Sequence, residues 1–342
     1  MLEWISCHRC FTEQATEVSR VSIGAYPRTV GTLCSVVLAL CLVALCLHSC
    51  AQDLPPDPQN EAVLEESFGL VMVSYSEHRV PGGAQPQLLV SGFFARHAGL
   101  NHGDVLHVLN QPDLPDPAML NIRTGHCEIV DQLLGLPPTP NPYDSYIELL
   151  DVGPVTFAAS GHNHHLRMRS FPGLFENVIG VTYEASLPRA LTPTAGSSVA
   201  FRAEGGDTVS GFAVTLEAPP VPRLLQIGGE DVLDAYASID WSSDLEVKWL
   251  PSETQATESG PVYLELAVHQ FDRTHSLRCV TADTGAAVLP QIGIQAVLDH
   301  ATSDATVRFI ARRIHRDTFT TGGLRSGDAF YVSRDSVVLL PQ

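Results

Sequence analysis

The chain has 342 residues, of which 44% are hydrophobic and 17% charged, and its formal net charge is −18. This apolar fraction is enough to bury cores, and the length that remains without the first 49 residues is natural for two domains of about 100 to 150 residues. Because such a negative surface repels phosphates and anionic headgroups, the composition argues against DNA-binding and basic-patch membrane proteins, and we expect no nucleic-acid partner.

The first element is an apolar run over residues 33–47, preceded by Arg28 and followed by Ser49 and Cys50. A positive residue, an apolar stretch and a small residue before a cysteine are typical of a bacterial lipoprotein signal. We therefore predict that residues 1–49 are a signal peptide of lipoprotein type, with a true start downstream of Met1, and that Cys50 is lipidated. No aspartate follows Cys50 directly, which favours an outer membrane location in the cell envelope.

Three alternatives remain for the apolar run. It could be an uncleaved signal anchor, although crossing a membrane takes about 20 apolar residues and this run is shorter. It could direct cleavage without a lipid. It could also be a plain buried helix that is followed by a cysteine by chance.

Residues 50–66 contain Pro55, Pro56 and Pro58 among acidic and amide residues, and this composition predicts an extended tether. From residue 67 onward, short β-branched and apolar runs alternate with Gly, Pro, Asp and Asn, as in β-sandwiches and barrels. A long proline-rich loop is predicted over residues 114–143, with one strand near 127–130. The other strands predicted in the range 67–217 are 70–75, 87–94, 105–109, 146–150, 155–159, 164–169, 178–183, 198–203 and 212–216.

The segment 218–222, with prolines at 219, 220 and 222, predicts a boundary because the residue before each proline is pushed into an extended conformation. The second domain is then 218–342. In its strand at 245–249 we expect Trp249 to be the core tryptophan; a sugar-stacking surface is the alternative. The strands predicted in this range are 224–227, 245–249, 262–268, 276–281, 293–298, 305–314 and 336–340.

These patterns predict a mainly β fold with two, or alternatively three, β-sandwich units. Seven strands in the range 218–342 match the count of an immunoglobulin-like sandwich. Of the eight cysteines, only Cys50, Cys127 and Cys279 follow the signal. Cys127 and Cys279 could pair in an oxidising compartment, but they fall in different predicted domains, so we expect two separate buried thiols.

The common catalytic motifs, such as a Walker loop, a His-Glu-x-x-His helix or a Gly-x-Ser-x-Gly elbow, do not occur after Cys50. His162 and His164 are the candidate metal ligands, since alternate residues of a strand share a face. No third ligand can be named, and the alternative is a polar turn, so we predict no metal site and no cofactor. We also expect none at His97, His102 and His107.

Several segments of the chain carry a resemblance to one family. They are residues 147–156, 201–212 with Gly205-Gly206-Asp207, 245–249, and 277–279 with Asp283 and Gly285. In these segments the chain resembles uncharacterised two-domain β-sandwich lipoproteins of myxobacteria-like delta-proteobacteria. The resemblance implies a surface or periplasmic β protein and brings no catalytic residues.

A second, local resemblance lies at residues 97–110, where Ala98-Gly99-Leu100 leads through Gly103-Asp104 to Asn110. This segment is similar to the central motif of PDZ domains, in which the Gly-Asp pair opens a strand. The resemblance implies a groove where a peptide tail adds a strand to a sheet edge.

The sequence therefore predicts a lipid-anchored envelope protein of non-enzymatic type. It would attach to the membrane through Cys50 and use sandwich loops for binding, adhesion or surface structure, with an envelope protein or a glycan as partner. One alternative is a periplasmic peptide-binding module built on the PDZ-like element. A second alternative is an envelope hydrolase whose catalytic residues the sequence does not identify.

Overall fold

The chain folds mainly into β-strands that alternate buried and exposed residues. The computed structural model describes residues 65–80, 83–109, 117–133, 145–170, 178–187, 192–232, 236–253, 260–270, 273–302 and 305–341. The predicted signal peptide, Cys50 and the tether up to residue 64 lie outside the described residues.

The described residues form nineteen strands and three helices. The strands are β1 (Glu66–Val80), β2 (Gly83–Ala98), β3 (His126–Leu133), β4 (Tyr146–Leu149), β5 (Val155–Ala159), β6 (His162–His165), β7 (Arg167–Ser170), β8 (Val178–Leu187), β9 (Ser198–Gly205), β10 (Ser210–Glu217), β11 (Leu224–Ile227), β12 (Glu230–Asp231), β13 (Tyr236–Ile239), β14 (Leu245–Trp249), β15 (Pro261–Gln270), β16 (Arg273–Ala282), β17 (Ala286–Leu289), β18 (Thr306–Thr318) and β19 (Ser326–Pro341). The helices are α1 (His102–Val108), α2 (Pro117–Asn121) and α3 (Gln291–Leu298). The predicted mainly β fold is confirmed.

One mixed sheet contains eleven strands in the order β3-β16-β15-β18-β19-β1-β2-β4-β8-β7, with β13 paired to the last part of β19. Its central neighbours β1 and β19 are parallel, although they come from opposite ends of the described chain: Phe68 pairs with Ser326 and His78 with Ser336. Two further sheets have four strands each, in the orders β10-β9-β5-β6 and β12-β11-β14-β17.

Alternation along β19 explains how the sheets pack, because successive side chains point to opposite faces. Ala329 and Tyr331 enter a core that also contains Phe157 and Phe201 of the sheet β10-β9-β5-β6. Further along the same face, Val337 and Leu339 enter a second core, shared with the sheet β12-β11-β14-β17 and α3. The long strand β19 therefore contributes to both cores.

The opposite face of the large sheet has its own core. Phe330 and Val332 of β19 pack there with Phe68 of β1 and with Val105 and Leu106 of α1. Burying each side chain of this kind contributes about 1.5–3 kcal/mol, so helix α1 is fixed against the sheet mainly by its apolar face.

The proline-rich segment 218–222 joins the two cores instead of separating two bodies. Ala218 belongs to the first core and Leu224 to the second. Between them, Ser333 Oγ donates to the carbonyl of Pro219 at 2.7 Å, and Asp335 Oδ2 accepts from the backbone N–H of Leu224 at 2.8 Å. Side chains of the large sheet thus form hydrogen bonds with the backbone of this segment, in which the prolines have no N–H group.

The predicted division into domains 67–217 and 218–342 differs from this arrangement. Strands from both ranges pair within the eleven-stranded sheet, and the range Val63–Gln342 forms one compact unit. The prolines at 218–222 do mark a distinct segment, but this segment is the connection along which the chain crosses from the first core to the second. Such a crossing looks like a linker in sequence because prolines favour extended backbone in both settings.

Two predicted elements are wrong in type. Residues 105–109 were expected to be a strand, but α1 covers most of them: Asn101 accepts a hydrogen bond from the Asp104 backbone N–H at 2.9 Å, as a helix N-cap does. Residues 293–298 are helical in α3, whose buried residues include Ile294 and Val297. The Gly327-Asp328 pair, a combination that is common in turns, lies inside β19.

Other strands were predicted well. The bounds of β5, β11 and β14 agree with the predicted ranges 155–159, 224–227 and 245–249. The predicted strand at 164–169 is divided into β6 and β7, and the strand expected near 127–130 is β3. No helix among the described residues is long and apolar enough to span a membrane.

Cys127 of β3 and Cys279 of β16 form a disulfide across 152 positions of sequence. The two residues are direct partners in the antiparallel pairing of these strands. The expectation of two separate buried thiols is therefore wrong. It failed because β3, which lies in the first half of the chain, forms the edge of the large sheet beside β16 from the second half.

Candidate functional site

A cavity of about 440 Å³ opens where β1 and β19 begin and β2 ends. Its size lies in the range of small-molecule sites, which are about 300–1,000 Å³. Two histidines, two carboxylates, one arginine, one phenylalanine and two serines line it: Glu66, Ser67, Phe68, His97, His102, Arg325, Ser326 and Asp328.

Strand pairing brings these distant residues together. Glu66 of β1 is the direct partner of His97 at the end of β2, and Phe68 is the partner of Ser326 on the other side. The chain then turns at Gly99, whose φ is 71°, a left-handed value that glycine adopts without strain. This turn leads into α1 and brings His102 to the cavity.

The cavity wall contains an aromatic cluster. The ring of Phe68 meets the ring of His102 edge-on at 4.2 Å between centroids, and that of His97 at 5.8 Å. Phe68 is buried, so it supports the two imidazoles from below and offers little surface of its own. The two histidines are therefore held by packing on one shared ring.

The charged groups around the cavity are already opposed by charges of the protein. Arg325 Nη1 lies 3.3 Å from Glu66 Oε1, and Arg316 donates to Asp328 Oδ1 at 2.7 and 2.9 Å. Arg316 also lies over the ring of Phe330. These pairs are partly exposed, so each contributes only about 0–1 kcal/mol to stability, but they neutralise the rim.

His97 is the most buried polar residue of this site. It is only 1% exposed, and neither ring nitrogen makes a hydrogen bond of normal geometry. Burial lowers the pKa of His97; the Glu66 carboxylate and the nearby Leu100 backbone oppose the shift without reversing it. Both ring nitrogens are closed off from solvent, so the imidazole forms part of the cavity wall.

His102 is at the mouth of the same cavity. Burial is the largest cause that lowers the pKa of His102, followed by the neighbouring His97, while Asp328 and Glu66 raise it. The lowered pKa values favour the neutral form of both imidazoles.

The two histidines that were candidate metal ligands, His162 and His164, lie elsewhere. His162 and His164 are on β6, an edge strand, where His162 is exposed and His164 half-buried opposite Phe157. The neighbouring His165 Nδ1 lies 3.3 Å from Thr156 Oγ1. Among the described residues, no three His, Cys, Asp or Glu side chains come together in a way that could hold a metal ion. The pair thus has no third ligand in that part of the chain.

Trp249 is a core residue, as predicted, and no surface for stacking a sugar. It is 1% exposed, and its Nε1 donates to Asp283 Oδ1 at 2.8 Å. The same carboxylate forms a two-pronged ion pair with Arg313, which also donates to the carbonyls of Pro220 and Leu250. Burial raises the pKa of Asp283, but hydrogen bonds from Arg313 and Trp249 outweigh it and hold that pKa below its ordinary value.

The PDZ-like segment departs from the pattern that suggested it. The Ala98-Gly99-Leu100 turn is present, but Gly103-Asp104 lies in helix α1 and opens no strand. The spacing of Asn101 and Asp104, which fits a helix capping pair, is the signal that could have indicated this. Cys50, the predicted lipidation residue, lies outside the described residues.

Sequence reasoning passed over this cavity. His97 and His102 were considered as metal ligands and as part of the PDZ-like segment, but the residues that meet them, such as Arg325 and Asp328, are more than 220 positions away in sequence. Only the pairing of β1 with β19 joins the two groups. Comparison with protein family models and with curated proteins gives no match to this chain.

Proposed function

We propose that this chain is a lipid-anchored protein of the cell envelope with a binding role and no enzymatic one. The observation that carries the proposal is the Cys127–Cys279 disulfide, because such bonds persist in oxidising compartments and are rare in a reducing cytosol. The lipoprotein-like signal and the acidic surface agree with this location. The lipid on Cys50 anchors the protein in the outer membrane.

We interpret the sheets as two β-sandwich units that share the eleven-stranded sheet, with the second of them immunoglobulin-like. The supporting observation is that each four-stranded sheet encloses its own core against the same face. A scaffold of this kind is rigid, and the ends of its strands are where such proteins bind their partners. The cavity at the start of β1 lies at one of these ends.

Binding is favoured over hydrolysis by the state of His97. A serine nucleophile is activated by a hydrogen bond to a base, yet His97 makes none with Ser67 or Ser326. A peptide ligand is the second candidate, since the PDZ-like segment 97–110 supplies His97 and His102 to the cavity wall.

The anchor is tested by intact mass spectrometry of the full chain recovered from membranes of a diderm bacterial host. We expect a chain that begins at Cys50 and carries the mass of two or three acyl groups. The Cys50→Ser variant should lose the lipid and leave the membrane fraction, whereas Cys127→Ser should keep both. A full-length chain without lipid, or a lipidated Cys50→Ser protein, would overturn the proposal.

A further inference from the structure

The large sheet has two outermost strands, β3 at one end and β7 at the other. Among the described residues, neither strand pairs with a further strand on its outer side. Such an edge offers backbone N–H and C=O groups to another chain. Each edge also has one large apolar side chain that is more than half exposed: Ile129 of β3 at 57% and Met168 of β7 at 56%. Both edges therefore have the features of a pairing surface.

Ile129 and Met168 point to the same face of the sheet. Ile129 is the pairing partner of Leu277, which is buried in the second core, and Met168 is the partner of Tyr183, which is buried in the first. Both cores lie on one face of the large sheet. If β3 and β7 of two copies lay side by side, the two apolar side chains would therefore meet on one face, as the pleat requires.

The charges of the two strands are opposite. β3 contains Glu128 and Asp131 and no lysine or arginine, whereas β7 contains Arg167 and Arg169 and no acidic residue. All four side chains are exposed. Because an arginine lies on each side of the exposed methionine, a carboxylate of β3 meets an arginine in either strand direction. Two β3 strands would instead bring carboxylates together, and two β7 strands would bring arginines together.

One charge on each edge has no partner within the described part of the chain. Arg169 forms an exposed ion pair with Glu184, and Asp131 Oδ1 lies 3.4 Å from the Nδ1 of a histidine of β16. Glu128 and Arg167 form no ion pair with any described residue. A contact between the two edges can therefore pair these charges without breaking an existing ion pair.

We propose that copies of this chain associate head to tail, with β7 of one copy added to the sheet of the next copy beside β3. The disulfide between Cys127 and Cys279 fastens β3 to β16, so this edge is in place before a second copy arrives. The net charge of −18 makes copies repel one another elsewhere, which favours this contact over non-specific association. A contact between unlike surfaces continues from copy to copy into a ring or an open chain. It does not depend on the lipid on Cys50.

The test is sedimentation velocity of the full chain in mild detergent, at concentrations from about 5 to 500 µM, because a contact between two short strands is small and expected to be weak. We expect the protein mass per particle to rise with concentration. A protein mass that stays constant over this range would overturn the inference.

Reversing the charges tests which strands meet. Glu128→Arg should weaken association at least about tenfold, because like charges then face each other across the contact. Arg167→Glu combined with Arg169→Glu should do the same from the other side. A chain with all three changes should regain wild-type association, since the two strands have then exchanged their charges.

The chain with three changes also separates association from folding. Its substitutions lie at opposite ends of one sheet, so damage to folding would accumulate in it, whereas pairing between copies would be restored. If this chain associates no better than the other two variants, the inference is wrong.

The matched control is Arg202→Glu combined with Arg325→Glu. It changes the net charge by the same amount as the reversal on β7, but Arg202 lies on β9, between two paired strands, and Arg325 precedes β19 in the centre of the large sheet. We expect this control to associate as the wild type does. An equal loss of association would show that net charge decides and not the edge strands, and would overturn the inference.

Discussion

Charged residues in this protein differ sharply in how much their ion pairs contribute to stability. Arg313 and Asp283 are almost fully buried and fully paired, with side chains that are 1% and 0% exposed. Arg325, by contrast, is 72% exposed where it meets Glu66. A buried pair that loses one member leaves an uncompensated charge, whereas an exposed one is replaced by water.

We therefore expect Arg313→Met to lower the free energy of unfolding by about 3–5 kcal/mol, because the buried Asp283 carboxylate loses its opposite charge. Arg325→Met, the matched change at the surface, should lower it by about 0–1 kcal/mol. Denaturant unfolding followed by tryptophan fluorescence measures both. Similar small effects of the two changes would contradict a buried, fully paired Arg313.

His97 gives the stability a pH dependence with a definite sign. Burial lowers the pKa of His97 in the folded state from the ordinary value of 6.5, so the unfolded chain takes up its proton first as the pH falls. This contribution to stability is complete above pH 6.5 and is lost below it. Unfolding free energies measured between about pH 7 and 5 should fall less steeply in His97→Phe than in wild type. Equal slopes would contradict a depressed pKa for His97.

Among the elements, those with clear alternation were the most predictable. In β14, Leu245, Val247 and Trp249 are buried and the residues between them face outward, which is the pattern a half-buried strand requires. Short apolar runs such as residues 105–109 and 293–298 carry no clear period, and helix and strand cannot be separated there by pattern alone. What decided them was local: the Asn101 cap in one case and Pro290 at the start of α3 in the other.

The start of β19 was missed because its small residues imitate a turn. Gly327 is paired with Gly69 of β1, and a Cβ added at Gly327 would lie 2.6 Å from the ring of Phe319. A Cβ at Gly69 would meet the same ring at 2.9 Å. The two glycines therefore leave the space that the ring of Phe319 fills, and this ring stacks on Phe212 in the first core. Sequence alone cannot tell a glycine that makes room from one that makes a turn.

Gly327→Ala should lower the free energy of unfolding by about 1–3 kcal/mol because the added methyl group would clash with the ring of Phe319. The double variant Gly327→Ala with Phe319→Leu tests the reason, since a smaller side chain at 319 makes room for the methyl group. We expect the two effects to be less than additive in denaturant unfolding. Full additivity would mean that the glycine and the ring do not compete for space.

At the scale of the whole molecule, the fold class followed from composition and alternation, but the assembly did not. The pairing of β3 with β16, of β1 with β19, and the cavity all join residues far apart in sequence. No local pattern encodes such pairings, and the prolines at 218–222 pointed towards two independent bodies. The candidate site was missed for the same reason, because its two halves meet only across β1 and β19.

The disulfide fastens the outermost strand β3 to this assembly. We expect the paired variant Cys127→Ser with Cys279→Ser to lose about 2–5 kcal/mol of unfolding free energy, because the bond closes a long loop. The Ser pair should retain its β-rich circular dichroism spectrum, since the cores that include β19 do not depend on β3. Wild-type stability that is unchanged by reductant would contradict a formed bond.

The central position of β19 has a consequence for how the protein is made. This strand is the last described element of the chain, yet β1, β13 and β18 all pair with it. A nascent chain that has emerged only to residue 325 therefore has β1 and β18 without their shared partner, and its two largest cores are open. Completion of the sheet must wait for the final sixteen-residue strand, which makes folding late and dominated by long-range contacts.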